Sequence, residues 1–332
     1  MRRRDFMALL VGAMATAPAY AEEPAKVPRI GYVNIGPATW YVNIGPATQT
    51  LVDDVRVSFR ERLTERGYVD GRNLVIKERF AEGHPERLPK LYSDLLAEGV
   101  DVLVAIGSPQ ALAAKRQTAT IPIVFISADP LGIGLVSSLA HPDGNLTGVL
   151  VASADYSSKW LGLLKEAAPQ IRRVAVLWNP DNPAVGKQVN SVRQAAPDLG
   201  VEVAIFPAGY ADIDDSFAAI IGAGVDGLVV TDDGVINRLA DKIGAFAAEH
   251  KLPTLAGFRL REGILMSYSY DATAVGHRVG DYVDRILKGA RPADLPVEQA
   301  SEYVLRINLK TAKSLGLTIP FSLVAGADEV IE

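Results

Sequence analysis

The chain has 332 residues, no cysteine and a formal net charge of −5, and 48% of its residues are hydrophobic. A mildly acidic chain argues against nucleic acid and anionic membranes as partners. This length is typical of two domains of roughly 150 residues each. Because disulfides are excluded, the fold must be held together by its core alone.

The first segment of the chain, residues 1–21, predicts an export signal. Arginines at 2–4 precede an apolar stretch at 6–17, which ends at the small-residue pattern Ala19-Tyr20-Ala21. The stretch is too short to span a membrane, so we expect cleavage after Ala21. Arg3-Arg4 resembles a twin-arginine signal, and general secretion is the alternative. Cleavage lowers the net charge to −7. With no cysteine for a lipid anchor, an unanchored periplasmic protein is expected.

Short β-branched segments alternate along the chain with longer amphipathic ones. The strands predicted in the first half are Arg29–Asn34, Asn73–Phe80, Asp101–Ile106, Pro122–Ile126 and Leu146–Val151. Those predicted in the second half are Arg173–Trp178, Val201–Phe206, Asp226–Thr231, Pro253–Ala256, Ile264–Tyr268 and Tyr303–Ile307. The predicted helices are Leu51–Arg66, Pro85–Glu98, Pro109–Gln117, Asp155–Ala168, Ala184–Leu199, Ile213–Ala223, Val235–His250, Thr273–Lys288 and Leu309–Leu315.

This alternation predicts an α/β protein with two doubly wound, Rossmann-like lobes. Continuously apolar strands such as VDVLVAIG are typical of parallel sheets that helices cover on both faces. The pattern runs twice, with a break near 148–153. We assign 28–148 plus 271–298 to the first lobe and 150–268 plus 302–332 to the second.

A tandem repeat lies in the first strand–helix loop. The octapeptide YVNIGPAT occurs at 32–39 and again at 41–48. A single pair does not predict a repeat fold, and a neutral duplication that lengthens the loop is the simplest interpretation. Alternatively, the insertion reshapes the entrance of a neighbouring site. Either Asn34 or its copy Asn43 could then end the first strand.

The residue patterns do not indicate a metal site, a cofactor site or a catalytic centre. The four histidines are scattered, and cysteine is absent. The motifs of α/β-hydrolases, phosphate-binding loops and dinucleotide-binding folds are also missing.

The candidate site residues of the first lobe follow its strands, where open α/β sheets bind ligands. Ser108 is a natural N-cap before Pro109, and the amides of Gln110 and Ala111 could hold a carboxylate. Simple helix capping is the alternative. Asp129 could bind an ammonium or hydroxyl group, or only form a turn before Pro130.

The second lobe offers polar and aromatic candidates at corresponding positions. Trp178 and Asn179 end one strand, and Asp232 and Asp233 end another. Trp178 serves either as a stacking platform or as a core residue, and the two aspartates could merely start a helix. Phe258 and Tyr268, with Tyr270 and Asp271 nearby, lie close to the last predicted crossing between the lobes.

Several segments together resemble a known family across nearly the whole exported chain. They are RIGYVN, VDVLVAIGSPQALAAK, TIPIVFISADPLGIG, RVAVLWNPDNP, MSYSYD and INLKTAKSLGLTIP. Their order resembles the periplasmic solute-binding proteins of ABC importers, in the group that includes tryptophan- and tyrosine-type binders. The resemblance implies a type I periplasmic binding fold that clamps its ligand between two lobes joined by three crossovers. It also implies docking on a membrane permease that works with a cytoplasmic ATPase.

By the same resemblance, the ligand contacts map to Ser108, Asp129, Asn179 and Asp232, while Phe258 and Tyr268 are added on position alone. We therefore expect a non-enzymatic, monomeric receptor that binds a small organic solute, with Trp178 or another ring covering an apolar part. Two alternatives share the fold. One is an exported sensor subunit for a membrane signalling protein, and the other is an exported hydrolase or isomerase.

Overall fold

The computed structural model describes residues 26–36, 51–142, 144–152, 154–209 and 212–332. The predicted export signal lies outside the described residues, as does most of the duplicated octapeptide. The first strand contains Tyr32, Val33 and Asn34, so the first copy of the repeat supplies its end. In the part of the chain that is described, no helix combines the length and apolar character needed to cross a membrane.

The strands alternate with helices along most of the chain. The strands are β1 (Arg29–Asn34), β2 (Val75–Phe80), β3 (Val102–Ile106), β4 (Ile123–Ser127), β5 (Leu146–Leu150), β6 (Arg173–Trp178), β7 (Glu202–Pro207), β8 (Gly227–Val230), β9 (Thr254–Ala256), β10 (Met266–Tyr270), β11 (Glu298–Gln299), β12 (Tyr303–Asn308) and β13 (Glu329–Ile331). The helices are α1 (Leu51–Glu65), α2 (Leu88–Ala97), α3 (Ser108–Gln117), α4 (Ala154–Ala167), α5 (Gly186–Ala195), α6 (Ile213–Gly222), α7 (Gly234–Arg238), α8 (Ala240–Glu249), α9 (Ala272–Leu287), α10 (Leu309–Ser314) and α11 (Phe321–Ala325).

The first sheet is parallel, with the strand order β11-β5-β4-β3-β1-β2. Successive residues of β3 point to opposite faces, as strand geometry requires. Val102 and Val104 belong to the core cluster that contains Phe59 of α1. Leu103 belongs to the cluster that contains Tyr92 of α2. Both faces of the sheet are therefore covered by helices, which explains why β3 is apolar throughout.

The second sheet has the order β13-β12-β10-β9-β8-β6-β7 and is parallel except for the antiparallel pair β10 and β12. It is also packed on both faces. Val176 of β6 packs in the cluster with Trp160 of α4. Its neighbour Leu177 packs in the cluster with Phe217 of α6. The predicted α/β fold with two doubly wound lobes is confirmed, and each sheet with its helices is called a lobe below.

The chain passes between the two sheets three times. It leaves the first sheet after β5, returns after β10 into α9, and leaves again between β11 and β12. Helix α9 packs along α1, so it belongs with the first sheet. The residue boundaries that we assigned to the lobes remain a prediction.

Helices α1 and α9 approach each other closely at two glycines. A Cβ atom added at Gly276 would lie 2.5 Å from the carbonyl oxygen of Val55 and 2.1 Å from the hydroxyl of Ser58. At Gly280 it would lie 2.8 Å from Cβ of Arg62. The short distance between the helix axes therefore depends on these missing side chains.

Some predicted elements differ from the structure. The helix predicted over Val235–His250 was wrong as a single element, because it divides at Leu239, whose backbone (φ −90°, ψ 1°) is not helical. The strand predicted from Ile264 begins at Met266, because Gly263 has φ 77° and the chain is still turning there. Strands β11 and β13 and helix α11 were not predicted. They are too short to carry a periodic pattern.

Candidate functional site

A cavity of about 210 Å³ lies between the two lobes, at the carboxyl ends of the parallel strands. The described polar residues that line it are Asn34, Ser108, Gln110 and Ser127 from the first lobe and Asn179, Asp181, Asn182, Asp232, Asp233 and Asn237 from the second. Ile35, Ile106, Ile126, Val151 and Val235 supply apolar walls, and Tyr270 lies at the end of β10. Of the predicted site residues, Ser108, Asn179 and Asp232 are brought together here.

Ser108 presents a buried hydroxyl to this cavity. It is the first residue of α3, and the N-cap is Gly107, so the expectation that Ser108 caps the helix was wrong. Gly107 has φ 116°, a conformation that glycine adopts without strain and other residues rarely do. The Ser108 hydroxyl lies 2.8 Å from the hydroxyl of Ser127 and accepts a hydrogen bond from the Ala128 amide at 3.3 Å. The Ala111 amide donates to the Gly107 carbonyl and is not free to hold a ligand.

The carboxylate of Asp233 is satisfied by the protein itself. Asn179 and Asn182 donate their side-chain amides to its two oxygens at 3.0 and 2.7 Å. The backbone amides of Val235 and Ile236 donate to the same carboxylate, which therefore caps α7. Asp233 thus ties β6, the following loop and α7 together. Asn179, predicted as a ligand contact, is one of its donors.

The neighbouring carboxylate of Asp232 is far less occupied. One of its oxygens accepts a hydrogen bond from the side-chain amide of Asn237 at 3.0 Å. Its backbone amide donates to the side chain of Gln188 at 3.3 Å. Burial raises the pKa of Asp232 from 3.8 to about 7, the charge of Asp233 adds to this rise, and the hydrogen bond from Asn237 opposes it. Asp232 therefore offers the cavity a carboxyl group that lacks a positive partner among the described residues.

Four of the predicted site residues do not line the cavity. Phe258 is 1% exposed and packs inside the core. Trp178 is half-buried and packs against the cluster around α4 and α5, which corresponds to the core alternative. Tyr268 lies in an aromatic group, with ring centroids 5.7 Å from Tyr156 and 5.8 Å from Tyr303. Asp129 accepts a hydrogen bond from the Gly132 amide and closes the predicted turn.

The sequence prediction missed several residues that line the cavity. Tyr270 is the one aromatic side chain among the described lining residues, and it is 5% exposed. Its sequence position predicts only that it lies near the last crossing between the lobes. Asn182 and Asn237 lie in irregular or newly started helical backbone, where no periodic signal exists. Gln110 lies on α3 two residues after Ser108, so its position in the wall could have been inferred.

Two charged pairs among the described residues join the lobes, and we call them the seam. Arg259, after β9, donates to the carboxylate of Asp54 on α1 at 2.5 Å. Lys187 of α5 lies 3.5 Å from the carboxylate of Asp129. In both pairs, the acid belongs to the first lobe and the base to the second. The two lobes are therefore closed onto each other by opposite charges.

Substitution of Arg259 by Gln is expected to weaken ligand binding about fivefold, because a partly exposed ion pair contributes about 1 kcal/mol to the closed state. Added salt should narrow the difference between the variant and the wild type. Isothermal titration calorimetry at two salt concentrations measures both effects. Arg291→Gln is the matched control, because Arg291 pairs with Asp294 on one exposed turn away from the seam. Equal losses in both variants would contradict a role for the seam.

The described residues contain no group of three or more His, Cys, Asp or Glu side chains that could hold a metal ion. Two lobes of parallel sheet with a polar cavity between them define a two-lobed binding protein of the type I periplasmic class. Residues 47–331 match the family described as ABC transporter substrate binding protein. The chain belongs to this family, as the resemblance predicted.

Known proteins of similar sequence or structure agree with this assignment. A tyrosine-binding protein of Clostridioides difficile is 28% identical over 272 residues, which are 80% of this chain and 77% of that protein. A conserved domain protein from Vibrio cholerae has a TM-score of 0.83 at 28% identity, over 92% of this chain and 100% of that one. An ABC domain from Streptococcus pneumoniae in complex with L-Trp has a TM-score of 0.82 at 26% identity, over 92% of this chain and 99% of that one.

Proposed function

We propose that this protein is a periplasmic receptor that captures a small amino-acid-like solute and delivers it to an ABC permease. The observation that carries the proposal is the cavity between the lobes, in which Ser108 of one lobe and Asp232 of the other contribute to opposite walls. A ligand that bridges Ser108 and Asp232 binds only when the lobes are closed. This difference in affinity between the closed and open states allows a receptor to report that it is occupied.

The charge of the cavity favours a ligand with a cationic group. Its described lining contains Asp181, Asp232 and Asp233 and no Lys, Arg or His. Since Asp233 is satisfied by its own hydrogen bonds, Asp232 is the partner for an ammonium group. The ligand's carboxylate would accept from the Ser108 hydroxyl near the N-terminus of α3, where the helix dipole favours negative charge.

The size of the cavity favours a single amino acid. An apolar cavity of about 150 Å³ holds one benzene molecule. The volume of about 210 Å³ found here is sufficient for a ring-bearing or branched side chain, and it is small for a peptide or an oligosaccharide. Relatives that bind tyrosine and L-Trp make the aromatic amino acids the first candidates.

The remaining parts of the proposal follow from the family and the N-terminal sequence. Residues 1–21 would direct export and be removed after Ala21. The receptor would act as a monomer, without a cofactor, and release its ligand unchanged to the permease. Recovery of intact ligand by mass spectrometry after long incubation separates this receptor from the hydrolase alternative.

A thermal-shift screen of the purified protein tests the proposal. The panel contains the amino acids, amines that lack the carboxylate, and acids that lack the amine. A ligand at 100 times its Kd stabilises the fold by about 2.7 kcal/mol, which corresponds to a rise in Tm of about 5 °C. We expect the complete amino acid to give the largest shift. A folded protein with no response to any compound would contradict the proposal.

Ser108→Ala is expected to weaken binding of the best ligand about tenfold, because a hydrogen bond to a charged group contributes about 1.5 kcal/mol. The loss should be smaller for the matching amine, which has no carboxylate to accept that bond. Titration calorimetry with both compounds measures the difference. Ser322→Ala is the control, because Ser322 bonds to Glu166 on the exposed side of the second lobe. An equal loss for both compounds would contradict the assigned orientation.

A further inference from the structure

Asp232 differs from the other carboxylates of the cavity in what surrounds it. Asp233 receives four hydrogen bonds, and Asp181 is exposed at the rim. Asp232 receives a single side-chain hydrogen bond, from Asn237 of α7, and forms no ion pair with a described residue. Ionisation of a carboxyl group at this site costs free energy, because the charged form has lost its contact with water without gaining a positive partner.

The groups that face Asp232 from the neighbouring elements supply no compensating charge. Asp233 follows it on the chain and repels its negative charge. Tyr156 of α4 and Tyr270 of β10 are buried, and the charge of Asp232 contributes to raising the pKa of both phenols, so both stay neutral. Gln188 of α5 is uncharged, and Lys187 on the same helix is paired with Asp129.

Across the cavity, the first lobe presents only uncharged polar groups to this carboxyl. Asn34, Ser108, Gln110 and Ser127 are the described polar residues of that wall. Two titratable side chains adjoin lining residues of the first lobe along the chain: His84, whose ring bonds to Glu86 at 2.9 Å, and Asp129, which is paired with Lys187. Arg238 of α7 is not among the groups that shift the pKa of Asp232, and no described basic group is placed to hold this carboxyl ionised while the cavity is empty.

We propose that the cationic group of the ligand exchanges for a proton on Asp232, so that each binding event releases a proton and capture weakens in acid. The inference rests on the proposed function and adds regulation to the same cavity. In acid, the carboxyl of the empty receptor carries a proton. When the ligand's ammonium binds, the proton leaves to solvent, and the ion pair holds the carboxylate charged. No bond other than the O–H bond is broken.

The exchange sets the direction of the pH dependence. Below the pKa that Asp232 has in the ligand-free protein, each unit by which the pH falls lowers the affinity tenfold, because the ligand must displace the proton. With a pKa of about 7, affinity should level off near pH 8 and should be about 100-fold weaker at pH 5 than at pH 8. At pH 6, binding should release about 0.9 proton per ligand.

Calorimetry in buffers of different ionisation enthalpy measures both quantities with the best amino acid from the screen. Asp232→Asn is expected to bind with a Kd that does not change with pH and that is at least as weak as the wild-type Kd at pH 5. His84→Gln is the matched control and should retain the wild-type profile. A flat wild-type profile with tight binding would overturn the exchange and leave the receptor function intact.

A second measurement does not depend on any ligand. The carbon resonance of the Asp232 carboxyl, assigned by its absence in Asp232→Asn, should titrate in the empty protein with a midpoint near the value of 7. A midpoint near 4, the ordinary range for aspartate, would overturn the exchange even if no ligand had been found. Failure of every ligand to bind, with a midpoint near 7, would instead count against the proposed function.

Discussion

Asp232→Asn is expected to weaken ligand binding at least about 100-fold at pH 8 while making the empty protein more stable. Loss of affinity follows because the neutral amide cannot pair with the ligand's ammonium. The gain in stability follows because burial raises the pKa of Asp232 from 3.8 to about 7, so the folded state holds the proton more tightly than the unfolded state does. The proton on Asp232 therefore stabilises the folded wild type in acid, and this contribution is lost as the pH rises from about 4 through about 7. The asparagine of the variant does not titrate, so its stability does not fall in this way.

The stability difference between variant and wild type should therefore grow with pH. We expect it to increase by about 2 kcal/mol between pH 5 and pH 8, allowing for water that enters the cavity. Urea unfolding of ligand-free protein at both pH values measures it, after bound ligand has been removed by unfolding and refolding. Asp181→Asn is the control, because Asp181 is exposed at the rim of the cavity. A variant that is less stable than the wild type at pH 8 would contradict the assigned environment.

Gly276→Ala is expected to destabilise the protein by about 3 kcal/mol, because the new methyl group would force α1 and α9 apart. The carbonyl oxygen of Val55, 2.5 Å from the added Cβ, belongs to helical backbone and cannot rotate away. Urea unfolding with an unchanged m value would show that the native state has lost stability. Longer side chains at this position should cost more.

Gly162→Ala gives the opposite expectation from the same chemical change. Gly162 lies inside α4, and no atom lies within 4 Å of its added Cβ. Alanine has the higher helix propensity, so this variant should be up to about 1 kcal/mol more stable than the wild type. If both variants shifted stability in the same direction, the close helix contact would not be the cause of the loss at Gly276.

The sequence predicted the central strands well, because a strand that helices cover on both faces must consist mainly of apolar residues, and such a run is visible in the local sequence. Strands β1 and β6 begin and end where they were predicted. Both carry continuous apolar residues, which a strand covered on both faces requires. The division between α7 and α8 could not be predicted, because Leu239, where the helix is interrupted, is a residue type that favours helices.

The candidate site was predicted less completely than the fold. Strand ends indicated Ser108, Asn179 and Asp232 as ligand contacts, and all three line the cavity; their contact with a ligand stays a prediction. The aromatic side chains were harder to place, since a ring fits a core and a binding site equally well by its chemistry. Phe258 packs inside one core, Trp178 packs against the other, and Tyr270 lines the cavity instead.

Neighbouring aspartates divide two tasks that the sequence alone cannot separate. Asp233 fastens the loop after β6 to the start of α7, and Asp232 faces the space that the ligand would occupy. A substitution at Asp232 can therefore change the preferred ligand charge without dismantling the wall that surrounds it. Position 232 is therefore one at which evolution or protein engineering could shift the preference of the receptor toward neutral or anionic solutes.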